Sequence, residues 1–73
     1  MARQAVDEAI SKSFTLKDFD RYMAEMGYRC SFDPNRKYWT IIGRGWKRPK
    51  RLYKLGEDYT NERIMERIRE NSY

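Results

Sequence analysis

"AEMGYRCSFDPNRKYWTIIG", residues 24–43, decides the fold because its periodicity changes at Gly27. Before the glycine, apolar residues recur every three to four positions; after it they alternate. Tyr28, Cys30 and Phe32 alternate with Arg29, Ser31 and Asp33, the pattern of a half-buried strand. "DPNR" (33–36) predicts a turn, since Pro34 presets φ at its second position and Asn35 tolerates the third. "KYWTIIG" (37–43) then reads as a second strand, β-branched and aromatic, with Trp39 and Ile41 facing the core. Cys30, alternating with two aromatics, reads as a small buried hydrophobe.

Upstream of Gly27 the signals are helical. In "FTLKDFDRYMAEMGY" (14–28), Thr15 has the character of an N-cap and Asp18 stands at N3, a capping-box arrangement with Asp in place of Glu. Phe14 at N′ and Phe19 at N4 are placed for a hydrophobic staple. Leu16, Phe19, Met23 and Met26 repeat at helical spacing, and Gly27 stands at C′, where a left-handed backbone costs little. Residues 2–12 predict a shorter helix whose stripe, Val6, Ala9 and Ile10, is thin. A stripe this thin is expected to pack late or to belong to something longer upstream.

Downstream, Gly43 and Gly45 interrupt the second strand, and "PKRLYKL" (49–55) predicts a third. Pro49 lacks an N–H and so belongs at that strand's beginning or on an edge. Gly56 ends it. Thr60 caps a last helix, with Tyr59 and Ile64 as a second staple, Glu62 in the first turn, and Ile64, Met65 and Ile68 as the apolar stripe. The expected architecture is α+β: one small domain spanning residues 1–73, ordered α-α-β-β-β-α, its three-stranded antiparallel meander packed against helices.

Charge is more segregated than the net value of +5 suggests. From Pro34 to Leu55 the chain carries eight cations and no acid. Set against totals of 16 Lys+Arg and 11 Asp+Glu, that leaves eight cations and eleven acids elsewhere, a net of −3. An acidic body with a +8 middle points to an anionic partner. The candidate nucleic-acid contacts are Arg36, Lys37, Arg44, Trp46, Lys47, Arg48, Lys50, Arg51 and Lys54. The cations would meet phosphates and release counterions. Trp46 would stack on a base, although a loop tryptophan more often folds back over its own hairpin. A sheet backed by helices can also lay one face in a major groove, letting Arg36, Lys37, Arg48 and Lys50 straddle the phosphates. The duller reading of the same cations is an exposed strand kept soluble and unpaired.

Catalysis is not expected. The chain has no His, and the adjacent Glu57 and Asp58 are explained as charge at a helix start. Its one cysteine excludes an internal disulfide, and no cofactor or metal is expected. No apolar run approaches the roughly 20 residues of a membrane span, so a cytoplasmic setting without membrane contact is the expectation.

"DEAI" (7–10), Phe19 with "MGY" (26–28), "WTI" (39–41), "GWKRPKR" (45–51) and "LGEDYTNERIMERI" (55–68) together resemble a segment of a known family. It is the segment that follows the nuclease domain in relaxase/mobilisation proteins of plasmids and conjugative transposons. The resemblance runs over about residues 5–69. The family's basic strand motif falls on Gly45, Lys47, Arg48 and Arg51, and its helix-start motif on Leu55 to Thr60. The sequence departs at Pro49, where the family pattern places an aromatic, and in the extra cations around it. The resemblance implies a non-catalytic module, excised from or related to a larger relaxase-like protein, that holds DNA, duplex or single-stranded, beside the adjoining nuclease domain. The family's catalytic Tyr and metal-binding His cluster lie in that preceding domain and have no counterpart here, so nicking does not carry over. The alternative is a protein-interaction module docking an acidic surface of the relaxase or of a mobilisation partner.

Overall fold

A computed structural model describes residues 2–71. Three helices, α1 (Ala2–Lys12), α2 (Leu16–Glu25) and α3 (Asn61–Glu70), accompany three strands, β1 (Tyr28–Ser31), β2 (Thr40–Gly43) and β3 (Lys50–Arg51). The strands form one antiparallel sheet in the order β1-β2-β3. The fold is therefore α+β, with the expected element order. Among the described residues, no helix is long and apolar enough to cross a membrane.

Helices α2 and α3 start where their caps stand. Thr15 Oγ1 accepts from the Asp18 amide at 3.1 Å, and Asp18 Oδ2 accepts in return from the Phe14 amide at 3.1 Å. The reciprocal bond thus closes on N′ rather than on the N-cap amide. Such caps contribute about 1 kcal/mol. Phe14 stays 62% exposed while Phe19 is fully buried, so burial of Phe19 comes from the core. Gly27 follows α2 with φ +91, the left-handed turn that releases the chain into β1. Thr60 Oγ1 accepts from the Arg63 amide at 3.2 Å and starts α3.

The core joins Val6, Ala9 and Ile10 of α1, Phe19 and Met23 of α2, Ile41 of β2, and Leu52, Leu55, Tyr59, Ile64 and Ile68. The α1 stripe is thin, yet all three of its residues are buried. Polar clamps across the chain hold it there. Tyr59 Oη donates to Asp7 at 2.8 Å, Arg67 pairs with Asp7 at 2.9 Å, and Asn71 Nδ2 donates to the carbonyls of Ile10 and Ser13. These bonds span 52 to 61 residues. Local periodicity carries no trace of them. Met65 is half-buried and outside the core set, so the α3 stripe is Ile64 with Ile68.

All three expected strands are shorter in the structure. The third is Lys50–Arg51 alone, and Leu52–Leu55 is a 3₁₀ turn. Leu52 and Leu55 are both buried, and residues three apart share a face in a 3₁₀ turn but lie on opposite faces of a strand. A second 3₁₀ turn, Glu57–Tyr59, precedes α3. The second strand begins at Thr40, because the backbone of residues 37–39 bonds to α3 and to Leu52 instead of β1. Phe32 lies just past β1, and "DPNR" turns as expected: the Arg36 amide donates to the Asp33 carbonyl at 3.0 Å, and the Asn35 amide to Asp33 Oδ1 at 2.9 Å. Trp39 precedes β2 and is half-buried, meeting Phe32 edge-on at 5.0 Å.

Candidate nucleic-acid interface

The register of the sheet assigns its two faces. Tyr28, Cys30, Ile41 and Gly43 point to the helices; Arg29, Ser31, Thr40 and Ile42 point the other way. Across β2, Arg51 pairs with Thr40 and Lys50 with Ile41. The consecutive cations Lys50 and Arg51 therefore diverge, Arg51 to the open face and Lys50 to the helix side. There Lys50 lines a groove of about 460 Å³ with the start of α1 and Trp46.

All eight cations of the basic segment are exposed. Among the described residues, none of them lies within 4.0 Å of a carboxylate, whereas Arg21, Arg63 and Arg67 of the helices all do. The ribbon's charge is thus not neutralised internally. It is distributed along the β2–β3 border in separate groups. Arg44, Lys47 and Arg48 sit on the loop after β2, and Arg44 lies over Gly27. Lys37, Arg51 and Lys54 gather at the other end of β2, around two tyrosines that the sequence reading did not single out. Arg36, exposed, belongs to the loop that leads there.

Those tyrosines are Tyr38 and Tyr53, whose ring centroids are 4.4 Å apart at an interplanar angle of 37°. The Lys37 ammonium lies 5.4 Å and the Arg51 guanidinium 5.9 Å from the Tyr38 centroid, and the Lys54 ammonium lies 5.5 Å from that of Tyr53. Both rings are half-buried yet outside the residues packed on the core, so each is covered by the other and by cationic stems. The backbone beneath them is fixed. Asn61 Nδ2 donates to the Lys37 carbonyl at 3.0 Å, Asn61 Oδ1 accepts from the Trp39 amide at 3.2 Å, and the Leu52 amide donates to the Trp39 carbonyl at 2.9 Å. Spacing held the signal: Tyr38 stands two before Thr40 and Tyr53 two after Arg51, the open-face partners.

Trp46 folds back over the sheet. Its ring meets Tyr28 edge-on at 5.9 Å and rests on Gly43 so closely that a Cβ there would stand 2.9 Å from Nε1 and Cε2. Gly43 is the residue that makes room. This ring is engaged by its own hairpin, while the Tyr38–Tyr53 pair lies outside the residues packed on the core.

Two titratable groups, Cys30 and Tyr59, are shifted by their surroundings. Burial, helped by the charge of Asp20, pushes the Cys30 thiol up to about 12, so it stays protonated and poorly nucleophilic near neutrality. Tyr59 is held above the usual tyrosine value by burial, then by its bond to Asp7, against the lowering influence of Arg67 and Arg3. Glu57 and Asp58 are exposed on the turn before α3, where Asp58 pairs with Arg63 at 3.6 Å. No group of three or more His, Cys, Asp or Glu among the described residues is placed to hold a metal ion.

Comparison of the chain with protein-family models, curated proteins and solved structures gives no match.

Proposed function

We propose that this chain is a non-catalytic nucleic-acid-binding module that holds DNA along its β2–β3 border. The observation that carries the proposal is eight exposed cations, none paired with a carboxylate among the described residues, on one continuous stretch of an otherwise acidic chain. A solubilising surface is served by mixed charge; a single-sign border is the footprint of an anion. That the DNA belongs to a plasmid or transposon being mobilised, beside a relaxase nuclease domain, rests on the sequence resemblance alone.

The test is the double variant Arg48→Ala/Arg51→Ala against labelled oligonucleotides of arbitrary sequence. Loss of two phosphate contacts should weaken binding uniformly across sequences and lower the salt slope by about two. An unchanged slope would refute phosphate contact by these residues. If the native chain fails to bind any oligonucleotide, the ribbon serves an acidic protein surface instead.

A further inference from the structure

We infer that Tyr38 and Tyr53, with Lys37, Arg51 and Lys54, form a base-stacking subsite that selects single-stranded over duplex nucleic acid; this rests on the nucleic-acid reading above and specifies its ligand.

Three observations converge on it. The two rings form a tilted pair outside the residues packed on the core, with centroids 4.4 Å apart and planes at 37°. Among the described residues the three cations around them have no carboxylate partner, so phosphates flanking a stacked base would meet them without displacing an ion pair. The Asn61 amide holds the backbone on both sides of Tyr38, so the platform exists before any ligand arrives.

The cations over the rings do not block the site. At 5.4 to 5.9 Å from the centroids they stand near the outer limit of a cation–π contact, worth about a two- to fivefold preference when exposed. Stacking of one base on an aromatic ring is worth about five- to a hundredfold. A base therefore displaces them, and an arginine so displaced can still cover a base or reach a phosphate. A duplex offers no such base, since its faces are already stacked on their neighbours. The open face of the sheet carries Arg29 as well, so the strand has further charge to follow beyond the platform.

The experiment measures the affinity of fluorescein-labelled dodecathymidylate and of a mixed-sequence duplex at about 50 mM salt. The native chain is compared with Tyr38→Leu/Tyr53→Leu and Tyr38→Phe/Tyr53→Phe. The leucine variant should bind the single strand about ten- to a hundredfold more weakly and the duplex within about threefold of native. The phenylalanine variant, which keeps both rings, should match native on each. Equal losses on both ligands, or no loss on the single strand, overturn the stacking subsite while leaving nucleic-acid binding intact. A native chain that binds neither ligand overturns both. If the leucine variant does not fold, photocrosslinking of an oligonucleotide bearing 5-iododeoxyuridine to the native chain reads the same contact. Attachment at Tyr38 or Tyr53 supports the subsite, and attachment confined to other residues overturns it.

Discussion

Asn61 Oδ1 accepts a hydrogen bond from the Trp39 amide, joining the first residue of α3 to the loop before β2 across 22 residues. The same side chain donates to the Lys37 carbonyl, so one amide brackets Tyr38 and supplies bonds that a longer β2 would otherwise have made. Its position ties the last helix of the fold to the candidate binding surface.

Replacing Asn61 with Ala should therefore cost both stability and binding. Two hydrogen bonds of about 1 kcal/mol each lower the melting temperature by about 8–16 °C in a domain of this size. Single-strand affinity should fall with Tyr38 unanchored, even below the new melting temperature. Thermal unfolding and anisotropy on one sample check both outcomes. A variant that melts lower yet binds as before would separate Asn61 from the surface.

Gly43→Ala places a methyl group 2.9 Å from the Trp46 ring and 3.0 Å from Tyr28 Cε1. Overpacking of this kind costs about 1–3 kcal/mol, and here it acts by lifting Trp46 off the sheet. In a Trp39→Phe background, tryptophan emission should shift to the red. Unshifted emission would mean that Trp46 does not rest on Gly43 in solution.

The alkaline limb of stability should carry the signature of Tyr59. Its folded-state value is raised, so the folded chain holds the phenolic proton more tightly than the unfolded one. That stabilisation is complete below the unfolded value of about 10 and is lost as pH rises through the folded one. Cys30 acts in the same sense up to about 12, so the comparison belongs in a Cys30→Ala background. There, native Tyr59 should lose melting temperature more steeply above pH about 10 than Tyr59→Phe does. Parallel curves would contradict the bond from Tyr59 to Asp7.

Cys30 should also resist modification. Alkylation by iodoacetamide at pH 8 is expected to be at least about a hundredfold slower in the folded chain than in denaturant, because only thiolate reacts. Equal rates would place the thiol in solvent.

The fold was legible wherever one residue type settled a local choice. Thr15, Gly27 and Thr60 marked helix ends, and the alternation from Tyr28 onward marked the first strand. The third strand was misjudged where two patterns overlapped. "PKRLYKL" has strand composition, but the three-residue spacing of Leu52 and Leu55 belongs to the 3₁₀ turn that buries both. The anchoring of α1 was illegible because Asp7, Arg67 and Asn71 act over more than fifty residues. At the candidate site the cations stood out by composition. The Tyr38–Tyr53 pair did not, since it forms only when the Lys37–Trp39 loop and the Leu52–Leu55 turn come together.

The most direct test of nucleic-acid binding is the salt dependence of affinity in the native chain, by anisotropy of labelled single strand and duplex between about 50 and 200 mM salt. Four phosphate contacts predict a slope of log affinity against log salt of about −2.8 for the single strand, roughly a fiftyfold loss, and about −3.6 for a duplex. Absence of binding at the lower salt, or binding that salt does not weaken, would contradict the account.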